Sequence, residues 1–104
     1  MKLSGRTAVI TGGGYGIGAA ICRLYAQEGA RIALVDRDQG QGEATSRLIR
    51  EAGGHCRFYP ADVSSSDQVA RAAEQILKEY PVVDILVNNA GIWRPGRITD
   101  LDET

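Results

Sequence analysis

Apolar residues follow two alternating patterns along this chain: short continuous runs and longer runs with a helical period. The continuous runs begin at Thr7, Arg31, His55 and Val82, and each closely follows a glycine or proline, as is typical of strands. In the three segments between these runs, apolar residues return every three or four positions, as on one face of a helix. The pattern therefore predicts four strands that alternate with three helices.

The predicted strands cover residues 7–10, 31–35, 55–59 and 82–87, and Ser65 is expected to cap the third helix. Each helix is expected to bury an apolar face against the sheet. These faces are Ile17, Ala20, Ile21, Leu24 and Tyr25 in the first helix, Ala44, Leu48 and Ala52 in the second, and Val69, Ala72, Ala73, Ile76, Leu77 and Tyr80 in the third. Regular alternation of strand and helix predicts an α/β fold in which helices cover both faces of a parallel sheet.

Residues 11–18, the glycine segment, join the first strand to the first helix. They can be aligned as Gly14-x-Gly16-x-x-Ala19, the general dinucleotide fingerprint, or as the looser pattern Thr11-Gly12-x-x-x-Gly16-x-Gly18. In either alignment, free backbone N–H groups and the partial positive charge at the helix start attract an anion. The segment is predicted to hold the pyrophosphate of a dinucleotide; the alternative is a tight turn that binds no ligand.

Polar residues follow the other three strands as well. Asp36 comes twenty residues after Gly16, where a carboxylate would bind the adenosine ribose of a dinucleotide and repel the extra phosphate of NADP. Asp62-Val63 follows the third strand and Asn88-Asn89-Ala90-Gly91 the fourth. Parallel strands end at one edge of a sheet, so all four segments are expected to face one cleft. Two alternatives stay open: Asp36 as an ordinary turn residue, and Arg37 as a cation that reaches a 2′-phosphate.

Together, these four segments closely resemble the short-chain dehydrogenase/reductase (SDR) family. The resemblance implies a three-layer, Rossmann-type doubly wound parallel sheet with strand order 3-2-1-4, here incomplete, in a single NAD(P)-binding domain over residues 1–104. It also implies that the cofactor extends from the glycine segment and Asp36 to the turn after the fourth strand. The expected cofactor contacts are Gly12, Tyr15, Gly16, Ile17, Gly18, Asp36, Arg37, Asp62, Val63, Asn89, Ala90 and Gly91.

The resemblance further implies hydride transfer between a nicotinamide cofactor and a secondary alcohol or its ketone. Asp36 and the neutral Tyr15 favour NAD over NADP. Family members use a serine and a Tyr-x-x-x-Lys pair downstream of the Asn-Asn-Ala-Gly turn, whereas residues 92–104 contain no serine, tyrosine or lysine. No catalytic residue is therefore predicted here, and the chain looks like the cofactor-binding part of a longer enzyme. The alternative is a non-catalytic dinucleotide-binding or self-associating module.

Charge and cysteine content narrow the expected partners. Twelve basic and thirteen acidic residues are interspersed, which leaves no basic stripe for nucleic acid and no polybasic segment for a membrane. Without a signal-peptide pattern or a membrane-spanning apolar run, a cytoplasmic protein is expected. Cys22, Cys56 and His55 lack metal-ligand spacing, so no metal site is expected and the cysteines are interpreted as reduced packing residues. The expected partner is a small-molecule alcohol or ketone, and the resemblance implies a homo-oligomer.

Overall fold

A computed structural model of the chain describes residues 2–12, 14 and 16–89. Strands and helices alternate through this part as β1 (Thr7–Thr11), α1 (Gly16–Gln27), β2 (Arg31–Asp36), α2 (Gln39–Glu51), β3 (His55–Pro60), α3 (Ser66–Glu79) and β4 (Ile85–Asn88). All strand pairs are parallel, and the order in the sheet is β3-β2-β1-β4. The predicted fold class, alternation and strand order are confirmed.

Helices cover both faces of the sheet and create two apolar cores. Ile10, Ile32 and Leu34 form the centre of the first core, between the sheet and helices α1 and α2. Val35 and Ile76 belong to the second core, between the opposite face and α3. Successive side chains of a strand point to opposite faces, which is why the neighbours Leu34 and Val35 lie in different cores. The molecule thus has three layers.

The predicted buried face of α1 is confirmed only in part, since Ile21 and Tyr25 are half-buried against the first core. Small residues, Gly18, Ala19 and Cys22, meet the sheet, whereas Ile17 is 74% exposed and Leu24 is 57% exposed. Small side chains allow a helix to approach the strands closely, and this close approach fixes which side of α1 faces inward. Two strongly apolar residues of the helix, Ile17 and Leu24, are therefore not among those that it buries.

The predicted face of α2 is wrong. Instead of Ala44, Leu48 and Ala52, the helix buries Gly42, Thr45, Ser46 and Ile49. A Cβ atom at Gly42 would collide with the Phe58 ring of β3, so the missing side chain makes room for that ring. In α3, half of the predicted face is confirmed: Ala72, Ile76 and Tyr80 are buried, and Val69 and Leu77 are exposed.

Strand β4 begins later than predicted, at Ile85 instead of Val82. The Asp84 N–H group donates to the Thr7 carbonyl oxygen at 2.9 Å, while the Asp84 carboxylate accepts from the Thr7 N–H group at 2.8 Å. A side chain here replaces a backbone carbonyl, so the regular ladder starts one residue later, where Ile85 pairs with Ala8. Within the described residues, β4 lies at an edge of the sheet, and Leu86 is 46% exposed.

Side-chain caps define where the second and third helices begin. The Gln41 N–H group donates to Asp38 Oδ1 at 3.0 Å at the start of α2. The Gln68 N–H group donates to Ser65 Oγ at 3.3 Å at the start of α3, which confirms Ser65 as the predicted cap. Both caps satisfy backbone donors that have no partner within their own helix.

Candidate functional site

An open cleft of ≈ 540 Å³ lies at the carboxyl edge of the sheet. Each of the four strands contributes to it through the segment that follows the strand. The residues that line it are Gly12, Gly16, Ile17, Asp36, Arg37, Ala61, Asp62, Val63, Ser64 and Asn89. The structure therefore brings together residues that are separated by up to 77 positions in the sequence.

Most of the expected cofactor contacts line this cleft. Gly18 does not, and Tyr15, Ala90 and Gly91 lie outside the described residues. A Cβ atom at Gly18 would collide with the Gly12 carbonyl oxygen and lie 2.7 Å from Asn89 Nδ2. Gly18 thus allows the first turn of α1 to pack against the end of β1. Because of this packing, Gly18 lies behind the cleft and not in its lining.

Gly12 and Gly16 adopt left-handed backbone conformations, with φ angles of 68° and 63°. A side chain at either position would strain the backbone, because L-residues other than glycine rarely adopt such angles. Asn89 Nδ2 donates to the Gly12 carbonyl oxygen at 3.2 Å, and the Thr11 hydroxyl donates to Asn88 Oδ1 at 3.0 Å. These hydrogen bonds join the ends of β1 and β4 beneath the cleft.

Asp36 is 8% exposed and has a backbone donor on each carboxylate oxygen. Its Oδ2 atom accepts from the Gly14 N–H group at 2.9 Å, and its Oδ1 atom accepts from the Asp38 N–H group at 2.9 Å. Each carboxylate oxygen has a further lone pair, so these bonds leave capacity for hydroxyl groups of a ligand. Asp36 therefore both organises the chain and presents an anionic acceptor to the cleft.

Asp62 organises the loop between β3 and α3. Its Oδ1 atom accepts from the Ser64 hydroxyl at 2.7 Å and from the Ser64 N–H group at 2.9 Å. The Asp62 N–H group donates to Gln68 Oε1 at 2.7 Å. The hydrogen bonds from Ser64, with a smaller contribution from the positive charge of Arg37, hold the pKa of Asp62 below its ordinary value of 3.8. Asp62 is thus anionic at neutral pH.

Several residues that lie at or behind the cleft are not predicted from the sequence. Ala61 and Ser64 line the cleft beside the predicted Asp62-Val63 pair. Because they are adjacent to this pair in the sequence, they could have been predicted together with it. Thr45 was also missed: its hydroxyl donates to the Gly14 carbonyl oxygen at 2.5 Å, across 31 residues of sequence. No spacing rule indicates this contact, since it depends on how α2 packs.

The cysteines add little chemistry to the site. Cys22 and Cys56 are buried free thiols, as predicted, and burial is the main reason that their pKa values are raised to about 12 and about 11. Among residues 2–12, 14 and 16–89, no cluster of three histidine, cysteine or acidic side chains could hold a metal ion. No helix in this part of the chain combines the length and apolarity needed to cross a bilayer.

Similar proteins are found among both sequences and solved structures. A 2,3-dihydro-2,3-dihydroxybenzoate dehydrogenase from Bacillus subtilis (strain 168) is 39% identical over 97% of this chain and 39% of its own length. A metagenomic short-chain oxidoreductase solved with NADP is 38% identical with a TM-score of 0.83, over 97% of this chain and 50% of that one. A short chain dehydrogenase/reductase from Burkholderia phymatum, solved with NAD, is 34% identical with a TM-score of 0.78. The match covers 83% of this chain and 31% of that one.

The family model for the short chain dehydrogenases matches residues 6–104, which is nearly the whole sequence. The chain spans about a third of the length of the curated relatives it matches first. Its strand order and its glycine segment agree with this match. By sequence and by fold, the chain belongs to the short-chain dehydrogenase family.

Proposed function

We propose that this chain binds a nicotinamide adenine dinucleotide in the cleft at the carboxyl edge of its sheet. One observation carries the proposal: segments that follow four different strands, including Gly12, Asp36, Asp62 and Asn89, converge on a single cavity. Topology brings these segments to one edge, and the left-handed glycines and the buried acceptor Asp36 give that edge the groups that a dinucleotide needs. Relatives solved with NADP and with NAD support a ligand of this class.

The residues of the cleft suggest how the dinucleotide is held. The pyrophosphate would lie near Gly12 and Gly16, where the first-turn N–H groups of α1, which have no acceptor within the helix, provide a positive environment. The ribose hydroxyls would donate to Asp36, and the adenine would contact Asp62 and Val63. Tyr15, Gly18, Ala90 and Gly91 complete the proposed set of contacts, with Gly18 acting through the packing of α1.

We further infer that NAD is preferred over NADP. A 2′-phosphate beside the buried Asp36 carboxylate would place two negative charges together in a partly desolvated site. Arg37 lines the same cleft and would favour the phosphate, but it is exposed to solvent that screens its charge. The buried Asp36 carboxylate, in contrast, accepts from Gly14 and Asp38 and is fixed in place. Repulsion by Asp36 is therefore expected to outweigh attraction by Arg37.

The complete protein is proposed to transfer hydride between the cofactor and a secondary alcohol or ketone. The cofactor supplies the hydride chemistry, while this chain binds and orients it. Relatives named as dehydrogenases and oxidoreductases favour this activity over a non-catalytic module. A single domain over residues 1–104 is proposed from the length of the chain and a cytoplasmic location from its sequence pattern, whereas a homo-oligomeric assembly is proposed on the family resemblance.

Substitution of Asp36 tests the proposed cofactor preference. Asp36→Asn keeps the size of the side chain and one acceptor oxygen but removes the charge. We expect it to weaken NAD binding by roughly 1–3 kcal/mol and to raise the affinity for NADP relative to NAD. Calorimetric titration with each dinucleotide measures both effects.

Asp38→Asn is the matched control for this experiment. It removes the same charge two residues away and keeps the helix cap, because asparagine caps helices as well as aspartate does. Its ratio of NAD to NADP affinity should equal that of the wild type. An unchanged ratio in Asp36→Asn, or an equal change in both variants, would contradict the role given to Asp36.

A further inference from the structure

Thr45 on α2 contacts the glycine segment from behind the cleft. Its hydroxyl donates to the Gly14 carbonyl oxygen at 2.5 Å, while the Gly14 N–H group donates to Asp36 Oδ2 at 2.9 Å. Thr45 and Gly14 are both buried, and neither is among the residues that line the cleft. Both backbone polar groups of Gly14 are thus held by side chains from other elements. We call this arrangement of Asp36, Gly14 and Thr45 the Gly14 latch.

The latch requires a glycine because of space, not because of backbone conformation. The φ angle of Gly14 is not positive, unlike those of Gly12 and Gly16. A Cβ atom on Gly14 would lie 2.7 Å from Asp36 Oδ2 and 3.1 Å from the backbone nitrogen of Gly42. A side chain at position 14 would therefore displace the Asp36 carboxylate and push against the start of α2.

The same contacts form a closed ring around the start of α2. The Asp38 N–H group donates to Asp36 Oδ1, and Asp38 then caps α2 through the Gln41 N–H group. One turn further along the helix, Thr45 reaches back to Gly14, which in turn donates to Asp36. A shift of α2 would consequently move both the glycine segment and the Asp36 carboxylate.

We propose that Thr45 is a positioning residue for the dinucleotide site. A buried carbonyl group needs a hydrogen-bond partner, and Thr45 supplies it for Gly14. The hydrogen bond holds Gly14 in place before any ligand arrives, which lowers the entropic cost of binding. The ligand in this inference rests on the proposed function, whereas the latch itself belongs to the ligand-free chain.

Thr45→Val tests the latch because it removes the hydroxyl and keeps a branched side chain of similar volume. We expect amide exchange at Gly12 and Gly14, whose N–H groups are hydrogen-bonded in the ligand-free structure, to accelerate about tenfold or more. NAD affinity, measured by calorimetry, should fall by roughly 5- to 150-fold. Thr45→Ser restores a hydroxyl at this position and should recover most of both losses.

Ser46→Ala is the matched control. It removes the neighbouring hydroxyl of the same helix, which is fully buried and donates to the Cys56 carbonyl oxygen at 3.2 Å, away from the glycine segment. This variant should lower overall stability without selectively accelerating exchange at Gly12 and Gly14. Equal acceleration in Ser46→Ala and Thr45→Val, or wild-type exchange in Thr45→Val, would overturn the proposal.

The remaining outcomes separate this proposal from the proposed function. If the wild type binds neither NAD nor NADP, the proposed function fails, and the exchange data still decide whether the latch orders the segment. If Thr45→Val does not fold, Thr45→Ala takes its place with the same expected results. Loss of folding in both variants, with Ser46→Ala folded, would overturn the positioning role in favour of a general structural one.

Discussion

The Asp36 carboxylate has two roles in this molecule. It accepts backbone N–H groups from Gly14 and Asp38, and it presents a negative charge to the cleft. A change at this residue therefore affects both the order of the glycine segment and the proposed choice between NAD and NADP. Asparagine is a sharper substitution than alanine for this reason, since it retains an acceptor oxygen and the volume of the side chain.

His55 is the residue that is expected to make stability depend on pH. Its Nε2 atom lies 2.6 Å from the Tyr80 hydroxyl oxygen, and the two rings meet edge to face. Partial loss of water is the main cause that lowers the pKa of His55 below 6.5, and the positive charges of Arg31 and Arg57 add to it. Glu79 acts in the opposite direction but forms an ion pair with Arg57 at 2.6 Å.

A lowered pKa means that the unfolded chain binds a proton on His55 more readily than the folded chain does. The contribution of His55 to stability is therefore complete above pH 6.5 and is lost as the pH falls from 6.5 through the folded-state pKa. The pKa values of Asp62 and Asp84 are lowered from 3.8. In the folded chain both carboxyl groups therefore titrate below pH 3.8 and do not account for a dependence that begins at pH 6.5.

Denaturant unfolding between about pH 7.5 and about pH 5.5 measures this dependence. The free energy of unfolding of the wild type should decrease as the pH falls. His55→Gln keeps a group that can hydrogen-bond to Tyr80 but does not titrate in this range, and its curve should be flatter. A wild-type stability that rises with acidity, or an equal slope in His55→Gln, would contradict the interpretation.

At the scale of single residues, spacing predicted a good part of the cleft. Gly12, Gly16 and Asp36 were found from their separation in the sequence, because a turn and a strand end have fixed local geometry. Thr45 could not be found in this way. Its partner Gly14 is 31 residues distant, and the contact exists only because the missing side chain of Gly42 lets α2 pack closely.

At the scale of elements, the hydrophobic pattern predicted that helices exist but not how they are rotated. Both helices turn small residues toward the sheet together with some large apolar ones, such as Ile49, and leave Leu24 and Leu48 exposed. Close packing against Phe58 and the glycine segment determines this rotation in α2, and no count of apolar residues contains that information. The strands were predicted better, because a buried run flanked by glycine or proline needs no partner to be recognised.

Adjacent residues of α2 provide a direct test of its rotation. Ile49 lies in the first core, whereas Leu48 is 55% exposed. We expect Ile49→Ala to lower the free energy of unfolding by about 2–5 kcal/mol, because it removes buried methyl groups and leaves a cavity. Leu48→Ala, the matched control, should cost less than about 1 kcal/mol. Denaturant unfolding of both variants measures the difference, and a reversed order would show that the sequence-based face was right.

At the scale of the whole molecule, strand order explains where the cleft lies. Strand β1 pairs with β2 on one side and with β4 on the other. The chain runs outward from β1 to β2 and β3, and the connection through α3 then returns past β1 to β4. A crevice opens at such a reversal, beyond the carboxyl ends of the strands. The opposite edge of the sheet is tied by side chains, since Asp84 contacts both Thr7 and Arg6. Strand order alone was enough to predict which edge carries the cleft.

A second cavity offers an alternative binding site for a dinucleotide. It has a volume of ≈ 530 Å³, runs along β3, and includes Glu43, Arg50 and Arg57 in its lining. These charged side chains could also attract a polar ligand. The carboxyl-edge cleft differs from it because four strand ends and the start of α1 meet there.

The central claim is that a nicotinamide dinucleotide binds at the carboxyl edge of this sheet. Chemical-shift mapping of the isotope-labelled chain during titration with NAD tests it most directly. We expect saturable shifts at Gly12, Gly16, Asp36, Val63 and Asn89, with little change along the outer edge of β3. Shifts confined to the cavity along β3, or none at saturating NAD, would contradict the account.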